Sequence, residues 1–182
     1  ATPPPLYPKL VTLRADANVP PDFSGPSFSG AVKDSFASLD FAMLGMNLLF
    51  EAQWIWCEAK ASPMPKGWAR VTTPDHLAAW QTAWGGPPVF HATCLDDPNL
   101  IFLARWEGEQ ITAGCLANIS HDVIGISNVF SEEPIFAQAA QAVSAISNGK
   151  PLVGYESGED VTQAEAAGFE TVGTLRVLLP QS

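Results

Sequence analysis

Hydrophobic residues change their period several times along this chain, and each change predicts an element. Leu10 to Leu13 alternate briefly, which predicts a short strand. Phe28, Val32, Phe36 and Leu39 recur at helical spacing, with Lys33 and Asp34 on the other side, which predicts an amphipathic helix ended by Gly45. Met46 to Cys57 reads as a long strand with Leu48, Phe50 and Trp54 on one face and Leu49 and Ile55 on the other. A strand apolar on both faces is expected to be buried on both sides or covered by a partner.

The stretch Ser62-Pro63-Met64-Pro65-Lys66-Gly67 is the clearest linker, and an internal boundary falls there. Beyond it, Trp68 to Val71 predicts a strand, and Thr73-Pro74-Asp75 is a helix start with Thr as N-cap and Pro in the first turn. Leu77, Trp80 and Trp84 give that helix an apolar face, and Gly85-Gly86 stops it. Strands over 100–105, 111–119 and 123–130 are joined by short turns at Gly108 and His121, which predicts an antiparallel meander. A helix over 135–146, a strand over 152–155, a helix over 160–167 and a strand over 171–179 follow. The crossover helix returns the chain in the same direction, so strand 152–155 is expected parallel to strand 123–130. The fold class expected is α/β (α+β): a mixed, mostly antiparallel sheet flanked by helices, with an N-terminal βαβ segment.

Composition narrows the function classes. Apolar residues make up 47% and charged residues only 15%, which excludes a disordered chain. A net charge of −10 repels phosphate backbones and anionic lipid, so neither nucleic acid nor a membrane surface is an expected partner. A small-molecule ligand is. Three cysteines, Cys57, Cys94 and Cys115, do not make a disulfide framework. No signal-peptide pattern opens the sequence, and the uncharged stretch Leu77 to Leu95 is broken by Gly85-Gly86-Pro87-Pro88. A cytoplasmic protein is the expectation.

The search for catalytic motifs is largely negative. No phosphate-binding glycine loop, dinucleotide fingerprint or His-Glu-x-x-His occurs, and Gly25-Pro26-Ser27-Phe28-Ser29 misses the nucleophile elbow at its last position. His91, Cys94, Asp96 and Asp97 are metal-capable but incomplete as a ligand set, so no metal is expected. The pairs Trp54/Trp56 and Trp80/Trp84 read as core packing.

The run Ile111-Thr112-Ala113-Gly114-Cys115-Leu116, then Val123-Ile124-Gly125-Ile126-Ser127-Asn128-Val129-Phe130, resembles the central hairpin of the GNAT acyltransferase superfamily. Leu152-Val153-Gly154-Tyr155 resembles that fold's next strand, and Ala164 to Gly173 its closing helix, Gly-Phe turn and final strand. The resemblance covers roughly residues 68–180. It implies acetyl-CoA or another acyl-CoA lying between strands 123–130 and 152–155, its diphosphate on the next helix N-terminus and an amine as acceptor. The implied cofactor-binding residues are Asn128, Val129, Phe130 and Ser131, with Ser127 and Asn128 near the reaction centre. The organisation that follows is residues 1–62 packed on a GNAT-like domain at 63–182. The first segment is either a vestigial second half of the fold or a generic βαβ appendage.

The chain departs from the family where chemistry is done. The phosphate-loop position reads Ser131-Glu132-Glu133-Pro134-Ile135-Phe136-Ala137, without the family's glycines, so the cofactor loop is degenerate. Ala164 stands where the family carries its tyrosine acid, and the catalytic residues stay open, with Asp122, Glu107 and Glu156 as candidate bases. From Ile119 onward there are eight acids and two cations. Two functions are therefore carried forward. One is acyl transfer from acyl-CoA to a small amine; the other is a non-catalytic binding or interaction module that has lost CoA.

Overall fold

A computed structural model describes residues 8–20 and 30–181. The proline-rich start and the Gly25–Ser29 near-motif lie outside the described residues. The chain divides into two compact units: residues 1–54 with 172–182, and residues 55–171.

The 55–171 unit carries the meander that the turns predict. Strands β4 (Trp68–Arg70), β5 (Leu100–Glu107), β6 (Gln110–Ile119) and β7 (Ile124–Ser131) pair antiparallel in succession, and β8 (Leu152–Glu156) adds to β7 in parallel. Both hairpins have local causes. Gly108 supplies a left-handed φ of 63° between β5 and β6, and the Ser120 N–H donates to the Val123 carbonyl at 2.9 Å before β7. The parallel β7–β8 step is made by α2 (Phe136–Ser144), as the crossover rule requires.

Alternation along β5 sorts side chains onto two faces. Phe102 and Ala104 join Leu77, Trp80 and Leu116 under α1 (Pro74–Trp84), while Ile101 and Leu103 join Ile126, Leu152 and the α2 residues Ala139 and Val143. Trp80 is fully buried, packs edge-on against Phe102 and Phe130, and donates its indole N–H to the Leu103 carbonyl at 3.0 Å. Helix α1 starts as expected: the Thr73 hydroxyl accepts from the His76 N–H at 3.2 Å, and Pro74 occupies the first turn. Helix α3 (Glu159–Ala166) ends at Gly168, whose φ of +94° only glycine adopts freely, and Phe169 then turns inward against Phe136.

In the other unit, β1 (Leu10–Val11) pairs parallel with β2 (Val32–Asp34), and β2 pairs antiparallel with β9 (Glu170–Pro180). The strand order there is β1-β2-β9-β3, with β3 at Met46–Cys57. The helix expected across Phe28, Val32, Phe36 and Leu39 is a correction: residues 32–34 are strand and turns follow to Gly45. Two causes are visible. Ala37 takes a φ of 51°, which breaks any right-handed helix, and buried Asp34 instead accepts the Leu39 N–H at 3.0 Å. Among the described residues, then, the segment is strand–loop–strand and not βαβ.

Burial along β3 follows cover rather than hydrophobicity. Met46 lies with Val32, Leu39 and Leu178, and Ala52 with Ala31, Leu175 and Val177, but Leu48, Leu49 and Phe50 between them are 37–50% exposed. At the middle of the strand this chain itself therefore does not bury both faces. Trp54 is only half-buried, with its N–H on the Ser35 carbonyl and the Lys33 ammonium over its ring. Trp56 is half-buried too, against the expectation of core. Among the described residues no helix is long and apolar enough to cross a membrane.

Candidate functional site

Strands β7 and β8 pair only at Ile124↔Leu152 and Gly125↔Val153. The next contact is already tight: a Cβ on Gly154 would lie 2.9 Å from the Ile126 carbonyl oxygen. Beyond it the strands part. On its other side β7 stays paired with β6 to Ser131, but the register slips between Gly114 and Leu116, so Asn128 and Val129 share one β6 position. This is a bulge, and Asn128 takes a φ of 51° within it. The backbone of β7 from Ser127 onward thus faces an open wedge instead of a neighbouring strand.

The wedge is a cavity of about 560 Å³, within the usual range for small-molecule sites. One wall is the end of β7 with the loop into α2; the other is the end of β8 with the first turns of α3. All four residues implied for cofactor binding, Asn128, Val129, Phe130 and Ser131, line it, as does Ser127. Helix α2 starts later than the sequence suggests: Ile135 is the N-cap and the Ala139 N–H makes the first helical bond. Pro134 therefore precedes the helix and removes none of its first-turn N–H groups. No side chain caps those groups.

Of the three candidate bases, only Glu156 lines the cavity. It is half-buried, and loss of solvent, with the Asp160 charge as a lesser cause, pushes its carboxyl up to about 7. Neighbouring Tyr155 is also raised, first by burial and then by the Glu156 charge. Asp122 is exposed in the β6–β7 turn and bound to His121 Nδ1 at 2.6 Å. Glu107 ends β5, paired with Arg105 at 3.3 Å. Neither belongs to the cavity lining.

Residues that sequence reasoning missed are Tyr155, Asp160 and Gln163. The only signal for them was Gly154, which marks a close approach of backbones and hence where β8 turns away from β7. The Gln163 amide donates to Asp160 Oδ1 at 3.1 Å and fixes that carboxylate on α3. Ala164 is fully buried in the core, so nothing from the family's tyrosine position enters the wedge. Among the lining residues are four carboxylates, Glu132, Glu133, Glu156 and Asp160, and no lysine or arginine. His91, Cys94, Asp96 and Asp97 sit in or beside a short 3₁₀ helix (Ala92–Asp96), and among the described residues no three His, Cys, Asp or Glu gather as a metal site.

No protein-family model matches the sequence, and no curated protein matches it significantly. Solved structures do match. A GCN5-related N-acetyltransferase from Kribbella flavida superposes with a TM-score of 0.64 at 13% identity, covering 85% of this chain and 69% of that one. A conserved protein of unknown function from Staphylococcus epidermidis gives 0.62 at 11% identity, covering 84% and 72%. A GCN5-related N-acetyltransferase-like protein from Streptococcus suis gives 0.53 at 12%, covering 85% and 72%. These likenesses establish the fold: the chain has the GNAT fold, at a sequence distance that speaks for fold alone.

Proposed function

We propose that the wedge is the active site of an acyltransferase that moves an acyl group from acyl-CoA to a small amine. The observation that carries this reading is the parting of β7 and β8 over a cavity that contains a carboxyl titrating near neutrality. The unpaired backbone edge from Ser127 to Ser131 suits the amides of an acyl-pantetheine arm, and the uncapped first turn of α2 is the one anion-attracting element at the diphosphate end. The bound thioester supplies an activated carbonyl. Glu156 accepts the proton of the incoming ammonium, so that the amine nitrogen attacks that carbonyl; the C–N bond forms, the C–S bond breaks, and the thiol leaves with a proton. Proton transfer of this kind contributes about 10²–10⁴-fold.

A second reading, a module that binds a small molecule without acyl transfer, is favoured by the charges. Four lining carboxylates and no lining cation oppose a polyanionic cofactor. Glu132 and Glu133 are exposed, so part of that opposition is screened by water. Acetyl-CoA titrated into the protein separates the two. A ligand at about 100 times its dissociation constant stabilises by about 2.7 kcal/mol, a visible rise in melting temperature. The enzyme reading expects binding that strengthens with added salt, because screening relieves repulsion, and an acyl-transfer rate that falls about 10²–10⁴-fold in Glu156→Gln. No stabilisation by millimolar acetyl-CoA at any salt concentration overturns it in favour of the second reading.

A further inference from the structure

We infer that Asn148 is a site of spontaneous covalent modification, losing its side-chain amide through a cyclic imide formed with the Gly149 nitrogen and leaving aspartate and isoaspartate. This concerns the turn that joins α2 to β8 and is independent of the wedge and its ligand. Six asparagines occur in the chain. Asn18, Asn47, Asn99, Asn118 and Asn128 each precede valine, leucine or isoleucine, whose branched side chains crowd the peptide nitrogen that has to attack. Asn148 precedes glycine.

The backbone is already close to the geometry of attack. Asn148 has a φ of 54° and Gly149 one of 82°, and the Lys150 N–H donates to the Ser147 carbonyl at 3.2 Å, the pattern of a type I′ turn. A five-membered imide needs the Gly149 nitrogen eclipsed with the Asn148 Cβ, which sets ψ near the type II′ value of about −120°. The II′ turn keeps the positive φ at its first central residue and the same bond across the turn. One rotation of the peptide plane between Asn148 and Gly149 therefore reaches it while α2 and β8 stay in place. Glycine accepts the change in the sign of its own φ. The contact that the rotation breaks is long: the Gly149 N–H donates to Ser147 Oγ at 3.3 Å. Both residues are exposed, so water reaches the ring. Asn128 shares the left-handed φ, at 51°, but is half-buried in the β7 bulge.

The chemistry needs only water. The Gly149 nitrogen gives up its proton and bonds to Asn148 Cγ, the bond from Cγ to the amide nitrogen breaks, and ammonia leaves. Water then opens the imide at either carbonyl. Cleavage at Cγ gives aspartate, and cleavage at the main-chain carbonyl gives isoaspartate. Either product adds a negative charge beside Lys150, whose ammonium holds the Ser120 carbonyl at 2.7 Å. Isoaspartate also lengthens the backbone shortly before Leu152, the β8 residue paired with Ile124.

The test is incubation of the full chain in mildly alkaline buffer, with peptide mass spectrometry that separates aspartate from isoaspartate at each position. Asn148 is expected to convert at least about tenfold faster than Asn128 or any other asparagine, a barrier difference of about 1.4 kcal/mol. Isoaspartate should accompany aspartate at that position. Gly149→Ala, where an added Cβ meets nothing within 4 Å, should slow the conversion about tenfold. Its melting curve shows whether it folds, and the wild-type ranking of the six sites decides independently of it. Asn148 that stays intact, converts no faster than Asn128, yields aspartate without isoaspartate, or keeps its rate in a folded Gly149→Ala variant overturns the inference.

Discussion

Replacing Glu156 by glutamine should stabilise the protein above neutral pH and leave it unchanged in acid. The folded state holds this carboxyl at about 7, against an ordinary 4.5, mainly because ionisation there loses solvent. Below pH 4.5 the group is protonated both folded and unfolded, so burial carries no charge penalty. As pH rises to about 7 the unfolded chain ionises freely and the folded one cannot, and stability is lost across that window. The upper limit is about 3 kcal/mol, at about 1.4 kcal/mol for each tenfold. Glu156 keeps partial contact with water, so roughly half or less of that survives screening. Glutamine is neutral throughout and escapes the penalty. At about 2–4 °C per kcal/mol, the variant should melt roughly 2–6 °C above wild type at pH 8, with the gap closing by pH 4.5. Thermal unfolding of both proteins across pH 4–8.5 measures this directly. A gap independent of pH, or a variant less stable at pH 8, would refute the assignment of a raised carboxyl, and with it the case for Glu156 as a base at neutral pH.

Other substitutions probe the frame around the site. Gly154→Ala places a methyl 2.9 Å from the Ile126 carbonyl oxygen, a backbone atom that cannot swing away; destabilisation of about 1–3 kcal/mol is expected, read as a lowered melting temperature. Thr73→Ala removes the hydroxyl that accepts the His76 N–H and should cost about 1 kcal/mol, measured by urea unfolding. A 63–182 fragment keeps β9 but loses Ala31, Val32, Met46 and Ala52, which bury Leu175, Val177 and Leu178. At about 1.5–3 kcal/mol per buried side chain, the uncovered β9 should make the fragment insoluble, and a soluble 63–182 fragment would contradict this.

The meander and the parallel β7–β8 step were legible because their causes are local: a turn glycine at Gly108, a short turn at Ser120–Val123, and a crossover helix between neighbouring strands. The N-terminal helix was misread because Val32 and Leu39 happen to fall at helical spacing. What decides there is the buried Asp34 carboxylate holding the Leu39 N–H, and no periodicity reports a hydrogen bond. At the site, Asn128 to Ser131 were reached through a resemblance. Tyr155, Asp160 and Gln163 were not, because they share a cavity only once β8 diverges from β7. The close approach just before that divergence depends on one missing Cβ at Gly154, and a bulge at Asn128 accompanies the divergence itself. Neither leaves a hydrophobic pattern.

The discontinuous make-up of the unit formed by residues 1–54 and 172–182 also sets an order of events during synthesis. Its β2 and β3 leave the ribosome well before β9, yet Val32 pairs with Leu178, Glu51 binds Arg176 across 125 positions, and the Gln53 amide reaches Thr174 across 121. Until β9 emerges, β2 and the apolar residues of β3 wait without their partner. The 55–171 unit, whose strands β4 to β7 pair with near neighbours in sequence, can form meanwhile at little loop-closure cost. A nascent chain stalled short of β9 would therefore hold a folded wedge while Val32, Met46 and Ala52 of the other unit still lack Leu175, Val177 and Leu178. That interval is when the chain most needs a chaperone.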